Sequence, residues 1–384
     1  MHSSVLLIEA CDFEHFPVGG QLTIARQLMA HFGPRFALVG LSLDRDSVGK
    51  WSRREIEGHY FDFFNIGTFD PTNLKPLVPR RLSAYLRIRH FKRQILSLGS
   101  KSAYVVAPEV MLAIQHWGLR VAYNFCGVEN VLKMPRYAYG RLIAGTFEHR
   151  LFTALAKHCE FIMAAADQEA IEAMKRRSKG ILGQRHIRFF PTQVDTRIFQ
   201  PAPRTSSSVA PVFITCGRLN RVKGWDLILE AFLIVKQRMP GARLIYVGDG
   251  EDRELLEAKI RNANFAQSVT ITGFVSQIEV ARLLNTSNLF LMGSHHEGWP
   301  TALIEAQACG LPAVVTKVSG VADLIEVGVN GIIVDSRDPS SFAAAILRAS
   351  RFDCPNYRSL EIASRYSIER QMKLLEKEWE PLAR

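Results

Sequence analysis

The sequence predicts an α/β protein made of two Rossmann-like domains facing a central cleft, and three observations carry that expectation. Short apolar runs of strand length alternate with amphipathic segments of helix length along the chain, the pattern of parallel sheets covered by helices. Glycine-rich turns close several of the runs, as in Val247-Gly248-Asp249-Gly250. Near the middle, Pro201, Pro203, Pro211 and three consecutive serines interrupt the alternation and read as a linker.

The expected domains are therefore residues 1–200 and 201–367, with a terminal helix from 368 crossing back onto the first. At 384 residues the chain is long enough for two separate cores. Val5-Leu6-Leu7-Ile8 is an unbroken aliphatic run and reads as the first strand. A Gly-rich turn and an amphipathic helix over 21–32 follow, then a second strand over 36–43. The region 45–100 shows no clear order and has a Pro-rich loop near 71–79. Strands at 105–106, 121–125 and 161–165 come next, with a long helix over 142–158 and another opening at Asp167-Gln168-Glu169. Beyond the linker, strands at 212–216, 244–247, 269–272, 289–292, 313–316 and 332–334 alternate with helices.

Composition narrows the class. With 47% hydrophobic and 22% charged residues the chain is globular, and no apolar stretch approaches the roughly 18–20 residues of a membrane span. The run at 5–8 is closed by Glu9 and Asp12, too short for a signal-peptide core. Six cysteines, Cys11, Cys126, Cys159, Cys216, Cys309 and Cys354, form no C-x-x-C pair and read as reduced thiols of a cytoplasmic protein. The net charge is +11, and part of it clusters over 79–93 and 175–179. A basic amphipathic helix fits either a solvated surface or peripheral docking on the anionic inner face of a membrane. Nucleic acid is disfavoured, because no recognition motif accompanies the charge.

The chemistry concentrates late in the chain. Glu297 and Glu305 are eight positions apart, in Glu297-Gly298-Trp299-Pro300-Thr301-Ala302-Leu303-Ile304-Glu305. An apolar strand precedes them and Pro300 suits the first turn of a helix. Glu297 should then lie on a strand-to-helix loop and Glu305 one turn inside the helix, at the carboxyl edge where open α/β sheets bind ligands. The N–H groups of Thr301 and Ala302 are expected to be exposed there and to meet an anion. Two carboxylates flanking an anion-binding helix start suit a ligand with hydroxyls on either side of a phosphate, such as a nucleotide-sugar. Two metal readings fail. His295 and His296 are adjacent at a strand end and point apart. Asp44-Arg45-Asp46 occurs once, far from the other motifs, and reads as a solvated loop.

With these residues, the segment resembles the Glu-x7-Glu signature of retaining glycosyltransferases of the GT-B fold, family four. Thr215-Cys216-Gly217-Arg218-Leu219-Asn220-Arg221-Val222-Lys223-Gly224, then Val247-Gly248-Asp249-Gly250, then Thr272-Gly273-Phe274-Val275 follow in that family's order. Pro17-Val18-Gly19-Gly20-Gln21 is similar to its amino-terminal Gly-Gly loop. The resemblance is dense over 212–335 and thin elsewhere. It implies that Arg218 and Lys223 neutralise the donor diphosphate, that Glu305 holds the ribose, and that Glu297 contacts the transferred sugar and stabilises its cationic transition state. It further implies that Gly19 and Gly20 approach the donor, and that backbone atoms at Val275 meet the base while its side chain packs in the core. Cys126, in Asn124-Phe125-Cys126-Gly127, stands where many members place a sugar-facing histidine. Pro191-Thr192-Gln193-Val194-Asp195 departs from the usual Pro-Asn-Gly-Val-Asp.

The expected activity is metal-independent, retaining hexosyl transfer from a UDP- or GDP-sugar to a glycan or lipid-linked acceptor, with no cofactor. A nucleotide-sugar epimerase of similar fold is the alternative enzyme, and a non-catalytic basic binding module is the alternative outside catalysis.

Overall fold

The computed structural model describes residues 5–14, 20–70, 78–128, 140–203, 210–263 and 266–382. The chain divides into two compact units, Met1–Thr192 with Gln371–Arg384, and Gln193–Arg370. The division falls a few residues ahead of the proline- and serine-rich stretch. Val194 already pairs in parallel with Ser367, which ties the residues just before the linker to the second unit.

The first unit is built on an eight-stranded sheet. Its strands are β1 (Val5–Ile8), β2 (Phe36–Leu41), β3 (Trp51–Ile56), β4 (His59–Gly67), β5 (Ser102–Val105), β6 (Arg120–Phe125), β7 (Phe161–Ala164) and β8 (Ile187–Phe189). They lie in the order β3-β4-β2-β1-β5-β6-β7-β8. All neighbouring pairs are parallel except β3 with β4, an antiparallel hairpin turning at Glu57 and Gly58. That hairpin corrects the expectation of parallel sheets throughout and gives order to part of 45–100. Trp51-Ser52-Arg53-Arg54-Glu55 is polar because β3 is an edge strand with most of its side chains in solvent. The missing apolar run is what hid it.

The carboxy-terminal helix, Ile368–Glu378, returns to this unit from Gln371 onward. Trp379 is fully buried there, 6.2 Å from the Tyr104 ring.

The basic stretch over 79–93 forms the helix Arg80–His90 followed by a short helix, Lys92–Leu96. Its basic side chains divide between two faces. Arg81 reaches Glu109 at 3.7 Å and Arg87 donates to the Thr68 carbonyl at 3.2 Å, both turned toward the protein. Leu82 and Leu86 are 49% and 55% exposed, and Arg89 and Arg93 are exposed as well. Leu82, Leu86 and Arg89 share one face of the first helix, and Arg93 lies on the second.

The second unit holds six parallel strands: β9 (Val212–Cys216), β10 (Arg243–Val247), β11 (Val269–Ile271), β12 (Leu289–Met292), β13 (Ala313–Thr316) and β14 (Gly331–Val334). Their order is β11-β10-β9-β12-β13-β14. Counted within the unit this is 3-2-1-4-5-6, the order of the dinucleotide-binding sheet, whose chain reverses direction between its first and fourth strands. The switch point therefore lies between β9 and β12, and the loops leaving those two strands, 217–224 and 293–300, share the carboxyl edge there. A core of Phe213, Phe232, Leu244, Leu291, Val314 and Phe342, each essentially inaccessible, holds the sheet against its helices. Among the described residues no helix is long and apolar enough to cross a membrane.

Candidate active site

After β9 the chain turns at Gly217, passes Arg218, and makes a single helical turn over Arg221–Lys223. Asn220 caps that turn, its Oδ1 accepting from the Lys223 N–H at 3.2 Å. The helix Trp225–Arg238 follows. Gly224 joins the two with φ +62°, in the left-handed region. A Cβ there would run into the Gly293 carbonyl, and one on Gly293 would meet the Gly224 oxygen. The two loops thus pack backbone on backbone. A hydrogen bond from the His295 N–H to the Val222 carbonyl, at 2.7 Å, adds to that contact. The same closeness extends to β10, where Gly248 lies against the Gly217 carbonyl and the Leu219 N–H reaches Asp249 at 2.9 Å.

This packing brings Lys223 to Glu297, 74 positions later in the chain. Lys223 Nζ donates to both carboxylate oxygens, at 2.7 and 2.9 Å. The Glu297 side chain is only 10% exposed, that of Lys223 38%. Ser294 Oγ donates to Glu297 Oε1 at 2.6 Å. The Ser294 carbonyl in turn accepts from Thr316 Oγ1 at 2.6 Å and from Arg337 Nη1 at 3.2 Å, while Arg337 also reaches the Gly293 carbonyl at 2.9 Å. Ser294, Thr316 and Arg337 were not marked by the sequence. Nothing in their neighbourhoods signals that they converge on Glu297 from the ends of β12, β13 and β14. Arg218 is exposed and its guanidinium has no partner among the described residues.

The helix carrying Glu305 runs Thr301–Ala308, and Pro300 caps it rather than filling its first turn. The expectation of two exposed amides needs correction. The Thr301 N–H donates to the Trp299 carbonyl at 2.9 Å, and both Thr301 and Ala302 are half-buried. The chain bends so tightly between Trp299 and the helix that one of the amides is used inside the turn. The Ala302 N–H has no partner among the described residues.

Glu305 is half-buried and pairs with no cation among the described residues, and burial alone pushes its carboxyl up to about 7. It faces the end of β9: Cys216 has its thiol raised, first by burial and then by the Glu305 charge. A raised carboxyl has a definite sign for stability. The folded protein holds the proton more tightly than the unfolded chain, so the cost of the charge is absent near pH 4.5, grows as pH rises, and is complete above about 7. Glu305→Gln should therefore match the parent protein in thermal stability at pH 4.5 and exceed it above pH 7. A constant difference across that window would show that the carboxyl is not perturbed.

The remaining expected residues belong to other elements. Val275 follows β11 and is half-buried beside the exposed Phe274, outside the apolar core in which its side chain was expected to pack. It sits immediately before Ser276, the cap of the helix Gln277–Asn285, where a short surface turn leaves no depth for burial. Gly19 lies outside the described residues, and Gly20 opens the helix Gly20–Phe32 in the first unit. Cys126, also in the first unit, directly follows β6. Burial and then the nearby Glu9 push its thiol up. Glu9 is itself raised to about 8, mainly by burial, although it accepts from the Val106 and Ala107 N–H groups at 2.6 and 3.1 Å.

Comparison with known proteins agrees with this architecture. The two units are those of the GT-B fold of glycosyltransferases. Sucrose-phosphate synthase from Thermosynechococcus elongatus superposes with a TM-score of 0.72 at 17% identity, covering 98% of each chain. Anabaena HepE in complex with UDP superposes with a TM-score of 0.69 at 15% identity, covering 97% of this chain and 98% of that one. Residues 197–361, which include the whole Lys223–Glu297 arrangement, match the family described as glycosyl transferases group 1. Among curated proteins, 2-deoxystreptamine N-acetyl-D-glucosaminyltransferase of Niallia circulans is 35% identical over 127 residues, 33% of each chain. The matched segment spans about a third of the length of such relatives.

Proposed function

We propose that the protein is a retaining glycosyltransferase that moves a hexosyl group from a UDP- or GDP-sugar to a hydroxyl of a glycan or lipid-linked acceptor. The observation that carries this reading is the pairing of Lys223 with Glu297 at the switch point of the second sheet, with Arg218, exposed and without a partner among the described residues, on the same loop as Lys223 and the helix that bears Glu305 following Glu297. The diphosphate would lie against Arg218, Lys223 and the Ala302 amide, which neutralise the charge that grows as the glycosidic bond breaks. Neutralisation by two side-chain cations gives a reaction that needs no metal ion. Glu305 would accept from ribose hydroxyls, with backbone atoms near Val275 on the base and Gly19 and Gly20 approaching the phosphates. Glu297 would accept from sugar hydroxyls and favour the oxocarbenium-like transition state. Retention then follows from attack on the face the diphosphate leaves, with a departing phosphate oxygen taking the acceptor proton. Cys126 is assigned to the sugar-facing side.

Several relatives are named for synthesis of such products, among them an amylovoran biosynthesis glycosyltransferase of Erwinia amylovora. UDP is the nucleotide in the HepE complex, which makes it the first donor nucleotide to try. The decisive experiment measures nucleoside diphosphate release from UDP- and GDP-sugars with and without a glycan acceptor. Acceptor-dependent release supports transfer. Sugar isomerisation without release would favour an epimerase, and neither reaction would favour a binding module.

The acceptor reading includes a peripheral membrane contact, supported by Leu82, Leu86 and Arg89 on one exposed face of the helix Arg80–His90 and by the exposed Arg93 on the short helix that follows. Arg89→Gln with Arg93→Gln should weaken binding to anionic vesicles by roughly 30-fold, at about 1 kcal/mol per charge, and added salt should weaken the parent protein in the same way. Equal sedimentation with neutral and anionic vesicles would remove the contact.

A further inference from the structure

Lys223 and Arg218 face the proposed diphosphate in different states. Arg218 has no partner among the described residues, whereas Lys223 already holds an anion, gripping both oxygens of Glu297 at 2.7 and 2.9 Å. An ammonium has three N–H donors, and Glu297 occupies two of them. The carboxylate is also held in that pose. Ser294 Oγ anchors Oε1 at 2.6 Å, and Arg337 and Thr316 fix the Ser294 backbone from the far side. A diphosphate arriving at Lys223 therefore meets a cation that is mostly neutralised and a largely buried carboxylate of its own sign.

Resting on the donor-site reading above, we propose that Glu297 is a competitor for Lys223 built into the site, and that it drives product release. When sugar hydroxyls engage the carboxylate, they supply the hydrogen bonds that let it leave Lys223, and the ammonium turns to the diphosphate. Once the sugar has moved to the acceptor, those hydroxyls are gone. A carboxylate this buried is costly without a cation or hydrogen bonds. It returns to Lys223 and loosens the nucleoside diphosphate. The exchange makes and breaks no covalent bond. It assigns Glu297 two successive partners, the sugar before transfer and Lys223 after it.

The test is affinity for anions that carry no sugar. Glu297→Gln keeps the size of the side chain and its capacity to accept from Ser294, but it removes the charge and one of the two oxygens that hold Lys223. Calorimetric titration with inorganic pyrophosphate, UDP and GDP should show binding roughly two- to fivefold tighter than in the parent protein, the range that a half-exposed ion pair supports. Ser294→Ala, which loosens Glu297 while keeping its charge, should move affinity the same way by less. In a Lys223→Gln background the Glu297→Gln change should tighten binding by clearly less, because only direct repulsion by the carboxylate is then removed. Equal or weaker binding by Glu297→Gln would overturn the exchange, as would tightening that is undiminished without Lys223. If the parent protein and all variants bind none of the three anions, the donor-site reading itself is wrong and the exchange falls with it.

Discussion

Arg218→Ala should lower turnover by roughly 10²–10³-fold while leaving the melting temperature unchanged, and Lys223→Ala should lower turnover by a similar factor. The size follows from removing one preorganised cation from a leaving group that gains charge as the bond breaks. The two variants differ in what they leave behind. Arg218 makes no ion pair among the described residues, so its loss disturbs no partner. Lys223→Ala strands the Glu297 carboxylate, which is 10% exposed and keeps only its bond from Ser294. A loss of stability, between about 1 kcal/mol for an exposed ion pair and about 3–5 kcal/mol for breaking a buried one, should accompany that variant alone. Steady-state rates and thermal melts of both proteins check the pair. Near-normal turnover in both would take the diphosphate role away from these residues.

Gly224→Ala should be severely damaging to the second unit. The new methyl would strain a φ of +62° and also drive into the Gly293 carbonyl, with Arg337 close on the other side. Strain in the left-handed region and overpacking against rigid backbone each cost about 1–3 kcal/mol, so a loss of roughly 2–6 kcal/mol is expected, with turnover abolished as Lys223 and Glu297 separate. Gly58→Ala supplies the control. Gly58 also has positive φ, +77°, but nothing lies within 4 Å of its added Cβ. It should lose only the strain component, seen as a small shift in denaturation midpoint. Equal losses in the two variants would show that the contact between the loops after β9 and β12 contributes nothing.

Much of the second unit was legible because its strands are mostly buried, β12 and β13 throughout, and so appear as short apolar runs between Val212 and Val334. The glycine turns were legible for a related reason. Positions such as Gly217, Gly224 and Gly248 admit no side chain, and so leave a mark in the sequence. The first unit was less legible where its structure is shallow. β3 shows no apolar period because one of its edges and much of its surface meet water, and β8 is only three residues long.

Within the candidate site, the sequence by itself determined which charged residues stand on the strand-to-helix connections: Arg218, Lys223 and Glu297 follow a strand and Glu305 lies one turn inside the next helix, and local pattern suffices for that. What only the tertiary structure decided is how they are partnered. The pairing of Lys223 with Glu297 depends on β9 and β12 becoming neighbours across a switch point, and no local period encodes that adjacency. The same holds for Arg337, which reaches Gly293 and Ser294 from beyond β14, and for the Thr301 amide, which one tight turn at Trp299 takes out of use. Hydrogen bonds and ion pairs act over about 3 Å. Chain position says which groups can make them, and only the fold brings the partners within that distance.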